Sequence, residues 1–406
     1  MKILHLTTSM SGGAGVATRR LAGAQRHDSR TTVGILTLRD QDPANSVCVS
    51  QLKGFAIKSK VVTVLQQVLA RKEIQFVSPV SASRIDWSFV QSFNPDVIHI
   101  HNWYNFLSLE NISKLLEKYK VVFTAHDERL LTGGCHITFG CSKYVQNCPN
   151  CPQVNFGSGL ISRSAEISHN FLSKSKSYSI IAPSLWLTEK FESAPFINPA
   201  IQIKTIPNIV PLAREPISSK SEDPAIKFLF VTASSISSNK GLREVVDVIK
   251  QISAIKPELK FNLEIAGVKS LRVETTLTNF TFKCLGILSE PEMKEAYSRS
   301  DALIVASKSE NSPNVIPEAQ LQNVIVIARA VGGIPEIIQN GESGFLYGLN
   351  EKSLLSVLID FVEAPELEKK RIKDNARGSA IERHNTARIL EETLNVYREL
   401  IGRDRE

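Results

Sequence analysis

The 406-residue chain has no run approaching the eighteen or so apolar residues that a membrane-spanning helix needs. Its first residues, MKILHLTT, lack the longer apolar core and the small-residue cleavage site of a signal peptide. These two absences lead us to expect a cytoplasmic protein. Low-complexity tracts are missing too, and with 42% hydrophobic and 22% charged residues the composition is that of a folded globular chain. No Lys/Arg run interleaved with aromatics occurs, nor any nucleic-acid-binding module, so nucleic acid is not an expected partner. Cysteine is scarce, six in all, yet four of the six fall within one short stretch.

What is present divides unevenly. The net charge is +7; through Pro207 there are 22 Lys+Arg against 13 Asp+Glu (+9), and beyond it 26 against 28 (−2). A basic first half fits an anionic partner such as a phosphorylated substrate or a lipid surface, or else ordinary solvating charge. The length accommodates two domains of ordinary size. Strand-like and helical segments alternate on both sides of a polar, proline-containing run, REPISSKSEDPA. That rhythm predicts an α/β protein with two doubly wound domains, 1–207 and 225–383, joined by a linker at 208–224, with helix continuing from 384 to 406.

Several stretches carry chemistry-bearing residues. A strand at residues 2–8 runs into SMSGGAG and then an amphipathic helix, and Gly12 and Gly13 would let backbone N–H groups approach a phosphate. The full G-x-G-x-x-G pattern is absent, so a dinucleotide site is weakly supported. The strand in PDVIHIHNWYNF ends in His99 and His101, which alternation puts on one side. The next strand, VVFTAHD, ends in His126 and Asp127. Strand ends in parallel sheets face ligands, although buried structural histidines need none. In the second half, Glu310 and Glu318 bracket seven residues that include Pro313 and Pro317. Prolines suit a helix start, and a helix start between two acids favours phosphate or sugar oxygens. A loop acid and a capping acid without a ligand would give the same spacing.

The segment Gly134–Pro152, GCHITFGCSKYVQNCPNCP, holds Cys135, Cys141, Cys148 and Cys151. In a cytosolic chain such density points to structural tetrahedral zinc rather than disulfides, with unligated thiols as the alternative. Four thiolates leave no open position for catalytic zinc. Cys48 and Cys284 read as isolated thiols. Asp40-Gln41-Asp42 forms a D-x-D triplet of the kind that can hold a catalytic metal, but nothing around it supports that role.

Taken together, SGGAG, DVIHIH, TAHD, APS, IPN, the NKG loop, Glu310…Glu318 and GGIPEII…GESGFL resemble the retaining GT-B glycosyltransferases of family 4, in the same order along most of the chain. The cysteine-bearing insert is similar to that of a bacterial exopolysaccharide (colanic-acid type) subgroup. The resemblance implies a GT-B fold, two Rossmann-like domains facing a cleft, with the C-terminal helix (384–406) returning to the first. It implies a nucleotide-sugar donor held by the second domain. Glu318 would accept from the ribose hydroxyls, while Glu310 and the backbone at Asn311–Asn314 would meet the donor sugar. Lys240, with Gly12 and Gly13, would neutralise the leaving diphosphate. His126 would lie near the donor sugar, and His99, His101 and Asp127 on the acceptor side. No metal is required for the chemistry and no protein nucleophile is implied. The expected acceptor is a polyprenyl-diphosphate-linked glycan in exopolysaccharide or capsule synthesis, met at the cytoplasmic face of the inner membrane by peripheral contact. Two departures stand out. Ser235 replaces a usual Arg, for which Arg243 or Lys308 would have to substitute. Gln322–Ile325 replaces a small-residue-Gly-x-Pro turn, where Asn323 can take the left-handed geometry of the missing glycine. These departures keep open a catalytically degenerate scaffold that binds nucleotide or glycan.

Overall fold

The computed structural model describes residues 1–38, 46–48, 60–64, 66, 68, 85–212, 224–232, 239–273, 276–350 and 352–403. Asp40–Asp42, Ser235 and most of the expected linker lie outside the described residues. Contacts divide the chain into two compact units, one formed by Met1–Ile209 with Thr386–Glu406 and the other by Val210–Asn385.

The first unit runs β1 (Lys2–Thr7), α1 (Gly12–Arg26), β2 (Thr32–Thr37), β3 (Ser46–Cys48), α2 (Trp87–Phe93), β4 (Val97–Asn102), α3 (Leu109–Lys118), β5 (Val121–Thr124), α4 (Ser158–Lys174), β6 (Tyr178–Ala182), α5 (Leu185–Glu192) and β7 (Gln202–Thr205). These seven strands form one parallel sheet in the order β3-β2-β1-β4-β5-β6-β7. Parallel strands covered on both faces read as continuous apolar runs rather than alternating ones; Val121–Thr124 and Tyr178–Ala182 are buried at every position. Helix starts follow their caps: Ser108 accepts from the Asn111 N–H at 3.2 Å and Ser184 from the Leu187 N–H at 3.2 Å. Of the SGGAG glycines, Gly12 needs its left-handed φ of +72°. Gly15 is fixed by packing, since a Cβ there would sit 2.4 Å from the Ser9 carbonyl oxygen.

The second unit continues with β8 (Ile226–Val231), α6 (Leu242–Ile255), β9 (Phe261–Ala266), β10 (Phe280–Gly286), α7 (Glu290–Ser298), β11 (Ala302–Val305), α8 (Val315–Leu321), β12 (Ile325–Arg329), β13 (Phe345–Tyr347), α9 (Leu354–Glu363) and α10 (Glu366–Arg383). Its sheet is also parallel, in the order β10-β9-β8-β11-β12-β13. A reciprocal Ser289–Glu292 capping box starts α7. Strand order reverses between β1 and β4 in the first sheet and between β8 and β11 in the second. Such reversals open a crevice at the carboxyl ends of the strands.

The chain ends in α11 (Thr386–Gly402), which belongs to the first unit. Its Ile389, Leu394, Val396, Tyr397 and Leu400 share a core cluster with Ile3, Val97, Val122 and Ile181, which come from four different strands. Among the described residues no helix is long and apolar enough to cross a membrane. Because Leu394 and Leu400 are fully buried, Leu394→Ala or Leu400→Ala should cost about 2–5 kcal/mol in urea unfolding. Leu367→Ala, at an 81% exposed position, should change stability by no more than about 0.5 kcal/mol.

Candidate active site

In the second unit the reversal point is built from three loops. After β8 come Asn239, Lys240 and Gly241. Asn239 is buried; its side chain accepts from the Ser309 N–H at 3.1 Å and donates to the Ser309 carbonyl at 3.1 Å, while its own carbonyl accepts from the Lys308 N–H at 2.8 Å. Gly241 takes φ +75°, and a Cβ there would lie 2.4 Å from the Ala306 carbonyl oxygen. The loop is thus pinned against the segment after β11, and Lys240 makes an ion pair with Glu310. Ser307 Oγ also donates to Glu310 Oε1 at 2.8 Å. The third loop is the glycine turn. Gly332 has φ +57°, and any Cβ there would collide with the Glu310 carbonyl oxygen at 1.7 Å. That carbonyl also accepts from the Gly333 N–H at 3.3 Å. Glu310 is therefore held by side chain and backbone together.

Helix α8 begins between the two acids, as the prolines require, with Asn314 at its N-cap and Glu318 in its first turn. Tyr297 Oη donates to Glu318 Oε2 at 3.1 Å. Asn311 is buried just ahead of the helix. The altered turn beyond α8 closes with Asn323 at φ +59°, the left-handed geometry expected of a residue standing in for glycine. Ile325, where the usual turn has proline, starts β12 and enters the core. Arg243 and Lys308 are both exposed. Arg329 instead pairs with Glu244 and lies over the Tyr347 ring at 4.9 Å.

In the first unit the reversal point holds a stack of imidazoles. His5 on β1 registers opposite His99 on β4, and the His99 and His101 ring centroids are 4.0 Å apart. Hydrogen bonds link His5 Nε2 to Gln25 Oε1 (2.7 Å), His5 Nδ1 to His101 Nε2 (2.9 Å) and His101 Nδ1 to His126 Nε2 (3.3 Å). His99 bonds Tyr397 Oη through Nδ1 (2.6 Å) and Thr124 Oγ1 through Nε2 (2.7 Å). Gln25 Nε2 donates to Tyr397 Oη at 3.0 Å. His99 and His101 therefore lie in the interior of the first unit rather than on its exposed surface. Burial lowers the His5 and His126 pKa values to about 4, the latter against the pull of the Asp127 carboxylate, and holds His99 and His101 well below the usual imidazole range. The ligand atoms of His5, His99 and His101 lie within 4.8 Å of one another. Every ring nitrogen already has a hydrogen-bond partner, however, so the cluster is better described as a bonded chain than as a metal centre.

Past His126 the chain enters the cysteine-bearing insert. Asp127 accepts from His136 Nδ1 at 2.7 Å and from the Arg129 N–H at 2.9 Å. Burial opposes its ionisation, yet the His136 ring and these bonds hold its pKa below the usual carboxylate range. Glu128, 2% exposed, accepts from the Thr138 N–H (2.8 Å) and hydroxyl (2.9 Å) and pairs with Lys190, whose ammonium lies 4.3 Å from the Trp186 ring centroid. Arg129 is buried over the rings of Trp103 and Tyr104, and desolvation brings its pKa down to about 10. Cys135, Cys148 and Cys151 are buried in one apolar cluster with Tyr144 and Val154; Cys141 is half-buried. Burial raises all three buried thiols, with mutual repulsion adding to it, and pushes Cys148 up to about 11. Among the described residues, three or more sulfurs do not converge within 4.8 Å. Backbone N–H groups nonetheless point at them, from Gly133 to Cys148 Sγ at 3.4 Å and from Gln153 and Val154 to Cys151.

Sequence reasoning missed His5, Gln25, Tyr397, Asn239, Glu128 and His136. His5 was legible, because it alternates into the same sheet as His99. Gln25 and Tyr397 lie 372 residues apart and only the fold joins them.

Residues 213–379 match the protein family described as Glycosyl transferases group 1. The chain is 23% identical over 330 residues to N-acetyl-alpha-D-glucosaminyl L-malate synthase of Bacillus anthracis, covering 78% of this chain and 77% of that one. It is 23% identical over 274 residues to the putative colanic acid biosynthesis glycosyl transferase WcaC of Escherichia coli K12, covering 62% and 64%. The fold matches that of Anabaena Alr3699/HepE, solved with UDP and glucose, at a TM-score of 0.63 and 15% identity over 98% and 100% of the two chains. The fold is GT-B, and the protein is a glycosyltransferase.

The imidazole chain also governs acid stability. Between about pH 6.5 and about 4 the unfolded chain binds protons on His5 and His126 that the folded chain refuses. Stability should therefore fall as pH falls through that window, by a few kcal/mol in all. Urea midpoints at pH 7, 5.5 and 4.5 check this; a midpoint that does not move contradicts it.

Proposed function

We propose that the protein transfers a sugar from a nucleotide-sugar to a glycan acceptor with retention of anomeric configuration, in exopolysaccharide or capsule assembly. The observation that carries this reading is Lys240 paired with Glu310 at the reversal point of the second sheet, inside the segment that matches the glycosyltransferase family. As the donor C1–O bond breaks, the electron pair leaves with the diphosphate, and Lys240 meets the growing charge. Glu310 then accepts from donor-sugar hydroxyls, beside the backbone of Asn311–Asn314. Glu318 accepts from the ribose diol. Gly12 and Gly13 are exposed at the start of α1, where main-chain N–H groups suit a phosphate. Asp127 contacts the acceptor, and His126 the donor sugar. UDP-sugars are the first donors to test, because UDP and glucose occupy the Anabaena structure. The named role of WcaC supports the polysaccharide setting. The +9 charge of residues 1–207 supports a lipid-linked, diphosphate-bearing acceptor reached by peripheral contact with an anionic membrane face.

Glu310→Ala and Lys240→Ala should each lower turnover by roughly 10²–10³-fold, with both proteins still folded by circular dichroism. A scaffold that only binds nucleotide or glycan would give no turnover in the wild type to lose. Turnover that survives both substitutions overturns the assignment.

We further propose that Cys135, Cys141, Cys148 and Cys151 hold a structural zinc. Four thiols, backbone N–H donors aimed at sulfur and left-handed turns at Asn147, Cys148 and Asn150 suit a thiolate-bound cation, which would also lower the thiol pKa values. Elemental analysis should find about one zinc per chain, and Cys148→Ser should lose it. A metal-free protein with unchanged unfolding midpoint and activity would contradict the site.

A further inference from the structure

The hydrogen bonds around His5 have one polarity, and it follows from a single amide. A neutral imidazole donates through one nitrogen and accepts through the other, so fixing one proton in a chain of rings fixes them all. Gln25 is the group whose two ends differ in kind. Its Nε2 donates to Tyr397 Oη, so its Oε1 faces His5 and must accept from His5 Nε2–H. His5 Nδ1 is then an acceptor and takes a hydrogen from His101 Nε2–H. His101 Nδ1 is in turn an acceptor for His126 Nε2–H. On the other arm, Tyr397 Oη accepts from Gln25 and its own proton has His99 Nδ1 as acceptor; with that proton given to Nδ1, His99 Nε2–H donates to Thr124. All seven groups are satisfied with no ring charged. Turning the Gln25 amide over would oblige every ring proton on both arms to move at once.

We infer that Gln25, locked by Tyr397 from the C-terminal helix, sets the proton polarity of this chain and holds His126 as its Nε2–H tautomer. Both are positioning residues for the transfer reaction. His126 Nδ1 then carries the lone pair, so the ring can only accept there, and the matching ligand group is a sugar hydroxyl that donates. This last step rests on the proposed role of His126 at the donor sugar; the polarity itself does not. The surroundings favour neutral rings. His5, His99 and Gln25 are fully buried and His101 is 3% exposed. The charged neighbours are Arg26 near His5 and Asp127 near His126. A cavity of about 20 Å³, lined in part by His101, Thr124, His126 and Asn208, has room for about one water beside the end of the chain.

The test is histidine-selective ¹⁵N NMR on the full-length protein, combined with kinetics. In the wild type, His126 should show the Nε2–H pattern. Gln25→Glu still accepts from His5, so it should keep that tautomer; its negative charge should also move the acid limb of the kcat/KM profile to higher pH. Tyr397→Phe removes the lock and should give mixed tautomers at His126, with kcat/KM lower by on the order of tenfold or more, because a wrong tautomer disables a functional imidazole. An Nδ1–H pattern at His126 in the wild type overturns the polarity, as does an unmixed Nε2–H pattern in folded Tyr397→Phe. Mixed tautomers with unchanged kcat/KM overturn the positioning role. The NMR readout needs no turnover, so failure of the proposed reaction and failure of the polarity are separately visible.

Discussion

Parallel sheets covered on both faces leave polar groups few places to go, and this constraint shapes both units. Strand interiors must be apolar, so chemistry collects where strands end and where neighbouring connections diverge. In the second unit Asn239, Lys240, Glu310 and Gly332 gather after β8, after β11 and in the glycine turn beyond β12. In the first unit the same position, between β1 and β4, admits three histidines into the sheet itself. They are tolerated because every ring nitrogen is bonded; unpaired, each would cost the desolvation of a buried polar group.

The two sites use polarity in different ways. The second brings opposite charges together, a lysine and a glutamate that neutralise each other and are partly exposed. Being partly exposed, both can change partners. The first keeps its imidazoles uncharged. Its rings are held neutral by burial, and Arg129 is kept from water over two aromatic rings. Asp127 joins the two regimes, since its carboxylate faces His126 on one side and His136 of the insert on the other.

Much of the architecture could be read from the residues, because strand and helix periods alternate cleanly and few elements needed distant context. The bracket Glu310–Glu318 and the left-handed Asn323 were legible for local reasons, proline at a helix start and asparagine in place of glycine. The histidines were legible as a pair, but not as an interior chain, since sequence spacing says which side of a strand a residue takes and not what covers it. Asn239 hid inside a loop whose lysine drew the attention; its value comes from bonds to residues some 70 positions away. The insert was visible by composition alone, while its anchors Glu128 and Lys190 are separated by 62 positions.

The place of α11 has a consequence for biosynthesis. The second unit, residues 210–385, is inserted between the body of the first unit and its last helix. A ribosome adding roughly 5–20 residues per second finishes β7 many seconds before Tyr397 exists. During that interval Ile3, Val97 and Val122 lack their covering helix, and Gln25 and His99 lack their shared hydroxyl. The second unit is complete in sequence before Tyr397 is made, so the usual N-to-C order of domain maturation is inverted, and the histidine chain acquires its polarity only once Tyr397 is in place.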